Sequence, residues 1–163
     1  MMGIPLGLAY SNLGEWLLHR YVLHGMGKRH ESFWSFHWHE HHQRSRRHEM
    51  VDAQYSGPLW SWSPQSKELL GLAAVVVGHV PLLKWAPWFV ATVWASVVAY
   101  YGVHRRAHLD PDWAREHLPW HYDHHMGRDQ NANWCVTYPL FDYVLGTRRK
   151  YLGTGAMAEA RAL

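Results

Sequence analysis

His121-Tyr122-Asp123-His124-His125, followed closely by Asn131-Ala132-Asn133-Trp134, is the stretch from which the rest of the chain is read. On an α-helix each residue advances about 100°, so His121, His124 and His125 fall on one face, one turn apart. Three imidazoles there can enter a single metal shell. An apolar core could not accept them without a ligand or buried partners. The spacing predicts a helix that carries metal ligands.

Working outward, His104-Arg105-Arg106-Ala107-His108 supplies an i,i+4 histidine pair just before this helix, separated from it by Pro111, Asp112 and Pro119. The pair emerges from a long apolar stretch. Between Leu69 and Val103 the only charged residue is Lys84, with Pro81 and Pro87 flanking the break. The mean hydropathy of −0.35 averages this stretch with polar, His-rich flanks and describes neither. Runs 69–83 and 85–103 would reach roughly 22 and 28 Å as helices, just short of a hydrocarbon core of about 30 Å. With Trp85, Trp88 and Trp94 among them, they predict a membrane-inserted hairpin whose tip is marked by Lys84. His79, beside Gly78 and two residues before Pro81, reads as a hydrogen-bonded helix-break residue.

Toward the N-terminus, Ile4 to Leu23 is mostly apolar but carries Glu15, His19 and Arg20, and it shows no cleavable signal pattern. It predicts a further membrane helix over 4–23, emerging with His19 and His24. Glu15 precedes His19 by four residues and shares its face, so it is expected to accept the free ring N–H of a metal-bound histidine. After the break at Gly25-Met26-Gly27, helix is expected to resume over Phe33 to Glu49, with His37 and His41 at i,i+4 and His42 beside them. Asp52 to Ser66, with Gly57, Pro58, Pro64, Trp60 and Trp62, reads as an interfacial loop.

Composition closes off several functions. The chain has 163 residues, enough for one domain, read as 1–152 with a loose tail at 153–163. Its single cysteine, Cys135, excludes an internal disulfide and a cysteine-based zinc site. A net charge of +3 without a basic arm interleaved with aromatics argues against nucleic acid.

The 15 histidines are the dominant signal. Four clusters stand out: His19 and His24; His37, His41 and His42; His104 and His108; His121, His124 and His125. One metal takes four to six ligands, so these ten imply two metals. Imidazole-rich sites suit iron, zinc, copper or nickel. His30, His39, His48, His79 and His117 are left outside the set. The expected fold is all-α: an integral membrane helical bundle with a transmembrane hairpin and a histidine-rich metal-binding cap. Fifteen of the 16 Lys and Arg lie outside the hairpin, which places that cap on the cytoplasmic side.

The series His19-x4-His24, His37-x3-His41-His42, His104-x3-His108 and His121-x2-His124-His125 resembles the fatty acid hydroxylase/sterol desaturase superfamily of membrane oxygenases. So does the tail Asn133-Trp134-Cys135 through Pro139, Phe141-Asp142 and Leu145-Gly146-Thr147. The resemblance covers about Glu15 to Thr147. The second motif usually reads His-x2-His-His, but position 38 is Trp, leaving His37 or His39 as its third member; helical spacing favours His37. In size and in His19-Arg20-Tyr21-Val22-Leu23-His24-Gly25 the chain is also similar to bacterial carotenoid β-ring hydroxylases.

The resemblance implies two iron ions, with zinc able to replace them in a purified form, and dioxygen as co-substrate. Electrons would come from a ferredoxin- or cytochrome-type donor, since the chain carries no cytochrome b5-like domain. The expected reaction is hydroxylation or desaturation at an unactivated C–H bond of a lipid drawn from the bilayer, with no catalytic residue beyond the metal centre. Asn133 and Asp142 are expected to support the ligands or to cap turns. The competing functions are a non-catalytic membrane metal-binding protein and, as a substrate variant, a carotenoid ring hydroxylase.

Overall fold

Proline and short polar side chains set where the helices start. A computed structural model describes residues 2–155, and among these there are helices and no strands. Helix α1 (Gly3–Leu17) runs without interruption into a π-helix, π1 (Leu18–Met26). A second π-helix, π2 (Phe36–His42), continues into the short α2 (Gln43–Arg47). Helix α3 (Pro64–His79) has Pro64 in its first turn and Ser63 as a cap, its hydroxyl accepting the Ser66 N–H. A 3₁₀ turn (Val80–Leu82) ends it, and Pro87 opens the 23-residue α4 (Pro87–Leu109). Asp110 closes α4 and caps α5 (Pro111–His117) by accepting the Trp113 N–H; Pro119 then starts α6 (Pro119–Met126). The last helix is α7 (Leu140–Val144).

Helices α1, α3 and α4 stand together as a bundle, and π1, π2, α6 and the lower turns of α4 form the cap beneath it. The most extensive helix contact is α1 on α4. It depends on Gly7, where a Cβ would lie 2.7 Å from the Thr92 Cβ, so no larger residue fits without moving a helix. The buried apolar set is small. One cluster joins Met50, Ala107, Ala114, Leu118, Tyr122 and Met126, and another joins Trp16, Trp134 and Cys135. Between them lies a polar interior made of histidine.

The architecture is all-α as expected, but the expected spans change. No helix among the described residues is long and apolar enough to cross a membrane. The reasons are local. The stretch 4–23 is divided, because α1 gives way to a π-helix carrying His19, Arg20 and His24. The stretch 69–83 is cut at His79, where a 16-residue helix with a polar first turn, about 24 Å long, gives way to the 3₁₀ turn. The stretch 85–103 lies in a helix whose length is shared with Thr92, Ser96, two tyrosines and a charged last turn. The expected helix over Phe33–Glu49 is also shorter and differently wound. Of the tail expected over 153–163, residues 156–163 lie outside the described residues.

Two glycines on α1 should respond oppositely. Gly7→Val is expected to lower stability by about 1–3 kcal/mol through the clash with Thr92. Gly14, with nothing within 4 Å of its Cβ position, should tolerate alanine with an unchanged or higher melting temperature. Thermal unfolding in detergent reads both.

Candidate metal centre

The winding of the two π-helices decides how the histidines meet. In a π-helix the hydrogen bond runs from i to i+5, which brings residues five apart onto one face. His19 and His24 are five apart in π1, and His37 and His42 are five apart in π2. These four, joined by His124 from α6, form one group of buried rings. His41, His104, His108 and His125 form a second. Within each group one ring nitrogen per residue lies within 4.8 Å of all the others. His121 stands beside the second group, its Nε2 at 3.2 Å from His108 Nε2.

This arrangement corrects the α-helical reading of the central stretch. His121, His124 and His125 do not enter one shell: His124 belongs to the first group, while His125 belongs to the second. His41 and His42 divide in the same way. Adjacent residues on α6 and π2 point to opposite sides, so the two elements run between the groups. His37 lies in the first group, whereas His39 is outside it, stacked on His30 and directed at the Lys28 carbonyl. His48 and His117 are exposed, and His79 hydrogen-bonds within the bundle.

The hydrogen bonds around the groups fix which nitrogen faces inward. A ring nitrogen opposite a carbonyl or carboxylate oxygen must carry the proton, leaving a bare lone pair on the other nitrogen. His19 Nδ1 donates to the Trp134 carbonyl at 2.6 Å, and His124 Nδ1 donates to Ala132 at 2.7 Å. In the second group His108 Nδ1 donates to Met50 at 2.9 Å, His41 Nδ1 to Asp52 at 3.0 Å and His104 Nδ1 to Glu68 at 2.7 Å. The Tyr55 hydroxyl donates to the other oxygen of Glu68 at 2.5 Å. Five Nε2 lone pairs are thereby turned inward.

What they meet is other imidazole nitrogens. His19 Nε2 lies 3.1 Å from His37 Nε2, His24 Nε2 lies 3.1 Å from His42 Nε2, and His124 Nε2 lies 3.2 Å from His42 Nε2. Two of the buried rings, His41 and His125, have Nε2 atoms with no hydrogen-bond partner at all. The bare lone pairs of His19 and His124 can each be met by a proton on the facing ring or by a cation, but His41 Nε2, whose ring proton is held by Asp52, has neither, and a cation would satisfy it. Metal bonds of about 2.1 Å set neighbouring ligand nitrogens about 3.0 Å apart at right angles and about 3.4 Å apart in a tetrahedron. The spacings in the first group are those of ligand edges, so its residues fit a metal; the second group fits one through four ring nitrogens within 4.8 Å of one another, two of them, on His41 and His125, without a partner.

Burial tunes the rings for the same purpose. It pushes His41, His42, His108, His121 and His125 well below the usual imidazole range, and neighbouring rings add to the effect. His124 falls to about 4, again chiefly through burial. These side chains are neutral near pH 7, the form that binds metal.

The three supporting residues expected from the sequence act differently. Glu15 touches no histidine; its carboxylate accepts the Val136 and Thr137 N–H groups and the Thr137 hydroxyl. It ties α1 to the loop after α6. Asp142 accepts the Trp134 and Cys135 N–H groups and the Thr147 hydroxyl, and so holds the segment whose Trp134 carbonyl receives His19. Asn133, with φ of 60°, binds the Arg149 backbone through both ends of its amide. Side chains that do reach ligand rings are Asp52, Glu68 and Tyr55, with Ser45 beside His108 and Gln130 beside His42, and the sequence singles out none of them. Glu68 carried a usable signal, because it is the last acid before the uncharged run that starts at Leu69.

A cavity of about 500 Å³ opens from this centre into the bundle. His19, Glu68 and Tyr100 line its metal end, and Tyr10 and His79 line the other. Between them the walls are almost entirely apolar, from α1, α3 and α4. Gly14, Gly71 and Gly78 leave room for it.

A family model described as fatty acid hydroxylase matches residues 4–147. No curated protein and no solved structure gives a significant match.

Two outcomes are expected. His124→Ala should lose bound metal, and Glu68→Ala should weaken metal affinity about 10- to 100-fold by removing the acceptor of the His104 Nδ1 proton; metal analysis against a competing chelator measures both. For the metal-free protein the sign of the pH effect follows from His124. Its folded-state value of about 4 lies below the ordinary imidazole value of about 6.5, so the unfolded chain binds more protons between them. That stability is complete above about pH 6.5 and lost as pH falls toward 4, visible as a declining melting temperature.

Proposed function

The chain belongs to the fatty acid hydroxylase family, and on that premise we propose that it is a membrane-embedded di-iron oxygenase. It hydroxylates or desaturates an unactivated C–H bond of a lipid, using dioxygen and electrons from a separate donor. The observation that carries this reading is the apolar cavity ending on His19 and Glu68. A metal store would have no use for a lipid-sized opening against its ligands.

His19, His24, His37, His42 and His124 would hold one iron, and His41, His104, His108 and His125, with His121 beside them, the other. When bound, the metal pair supplies activation of dioxygen and removal of a substrate hydrogen. The protein's own contributions are positional. Asp52, Glu68 and the Met50, Ala132 and Trp134 carbonyls hold the Nδ1 protons and keep Nε2 facing inward. The cavity walls align an extended chain and exclude water, so that one carbon rests at the metal end. Tyr55 and Glu68 keep a proton on the far side of His104, away from the reacting carbon.

The membrane part of the reading rests on what the bundle exposes. Ile4, Leu6 and Leu8 of α1, Val77 of α3, Val98 of α4 and the tryptophans Trp85 and Trp88 at the tip are all exposed. Contiguous apolar surface of this kind favours contact with lipid. The bundle would enter the bilayer from its tip, leaving the histidine cap at the cytoplasmic face. Exposed Arg47, Arg106, Arg149 and Lys150 on the cap side would favour an acidic ferredoxin- or cytochrome-type donor.

Gly14→Leu is the sharpest test, because Gly14 lines the cavity and a Cβ there meets nothing within 4 Å, so the side chain projects into open space. Oxygen-dependent product from a lipid extract, followed by mass spectrometry, should fall about 100-fold. Metal content and melting temperature should stay at the parent level. Undiminished turnover would remove the cavity from the reaction.

A further inference from the structure

The end of the cavity remote from the metal centre is polar, and the reaction gives it no role. His79 Nδ1 donates to the Val75 carbonyl at 2.7 Å, which leaves His79 Nε2 as an acceptor. It takes the Tyr10 hydroxyl proton at 3.2 Å, across the space between α1 and α3. The proton of Tyr10 is thus committed, and its oxygen remains available as an acceptor on the cavity wall. On the neighbouring residue, the Ser11 hydroxyl is buried, lines the same cavity and has no hydrogen-bond partner. A simple clip between two helices would need neither the adjoining opening nor a second hydroxyl left unpaired in it.

The geometry points to Tyr10, His79 and Ser11 as a subsite that selects a neutral lipid alcohol, holding its hydroxyl at the far end of the cavity while a distant carbon lies at the metal centre. This deepens the reading of the cavity as the substrate site and rests on it. The hydroxyl donates to Tyr10 Oη and accepts from Ser11 Oγ, satisfying groups that an alkane would leave unpaired. A carboxylate fits poorly. No Lys or Arg lines the cavity to pair with an anion. The subsite also sets a length. Glu68 and His79 lie eleven residues apart on α3, about 16 Å along the helix axis. At roughly 1.25 Å per carbon for an extended chain, the oxidised position falls roughly 13 carbons from the hydroxyl.

The test uses the full metal-loaded chain in detergent and a hexadecanol probe with a photoreactive diazirine at mid-chain. Labelling of α1 and α3 peptides is read by mass spectrometry. Unlabelled hexadecanol, hexadecane and hexadecanoate compete at equal mole fraction in the micelle. Hexadecanol should compete about fivefold better than hexadecane, the ratio that one net hydrogen bond gives, and hexadecanoate should compete least. Tyr10→Phe and Ser11→Ala, each removing one of the two groups that hold the hydroxyl, should each bring the alcohol-to-alkane ratio toward one, with metal content unchanged. Equal competition in the parent protein, or a preference that survives both variants, overturns the subsite alone. Labelling that Gly14→Leu leaves intact shows that the probe is not in the cavity, and overturns the substrate-site reading together with the subsite.

Discussion

Imidazole nitrogens gathered and left without partners inside a protein are the constraint on which this structure turns. Ten imidazoles are buried, and several of them approach nitrogen to nitrogen at 3.1–3.2 Å. Apolar packing does not account for that gathering, and the contacts between rings still leave the buried His41 and His125 Nε2 atoms without a partner. A cation in each group would supply it and tie the ring-bearing segments together. The small apolar clusters at Met50 and Trp16 are consistent with this: hydrophobic burial alone leaves the cap thinly supported.

The scaffold works from the outside in. Backbone carbonyls of otherwise irregular segments, at Met50, Ala132 and Trp134, each receive one ring proton, so loops without regular structure become part of the centre. Asp142 and Glu15 then fix those loops by collecting their N–H groups. Glu68 has a double position. It orients His104 and lines the cavity, linking the cap to the bundle in one side chain.

Much of this was legible in the sequence, and the exceptions have physical causes. Clusters of His at helix ends pointed to the rings that the structure gathers, and the spacing of His37 separated it from His39. The helix-breaking prolines marked where α4, α5 and α6 begin. What spacing at about 100° per residue misassigned was the division of the rings between groups: in π2 the winding aligns residues five apart with no recognisable sequence signature, and on α6, an ordinary α-helix, the 100° step between His124 and His125 is enough to send them to different groups. Asp52 and Glu68 were missed for another reason: each lies far along the chain from the ring it holds, 11 residues in one case and 36 in the other. Glu15 looked like a ligand's partner by helical spacing, yet its carboxylate turns toward the returning loop. The hairpin was read from an absence of charge, which marks apolar surroundings but does not measure helix length.

The two π-helices have a consequence for how this chain can change over time. Loops such as 57–62 can absorb insertions, since nothing in the centre counts residues across them. Within 18–26 or 36–42, losing or gaining a single residue would rotate one imidazole of a pair by about 100° relative to its mate, more than a substitution elsewhere in the segment could do. The histidine pairs therefore make reading-frame length, rather than residue identity, the least negotiable property of those two segments.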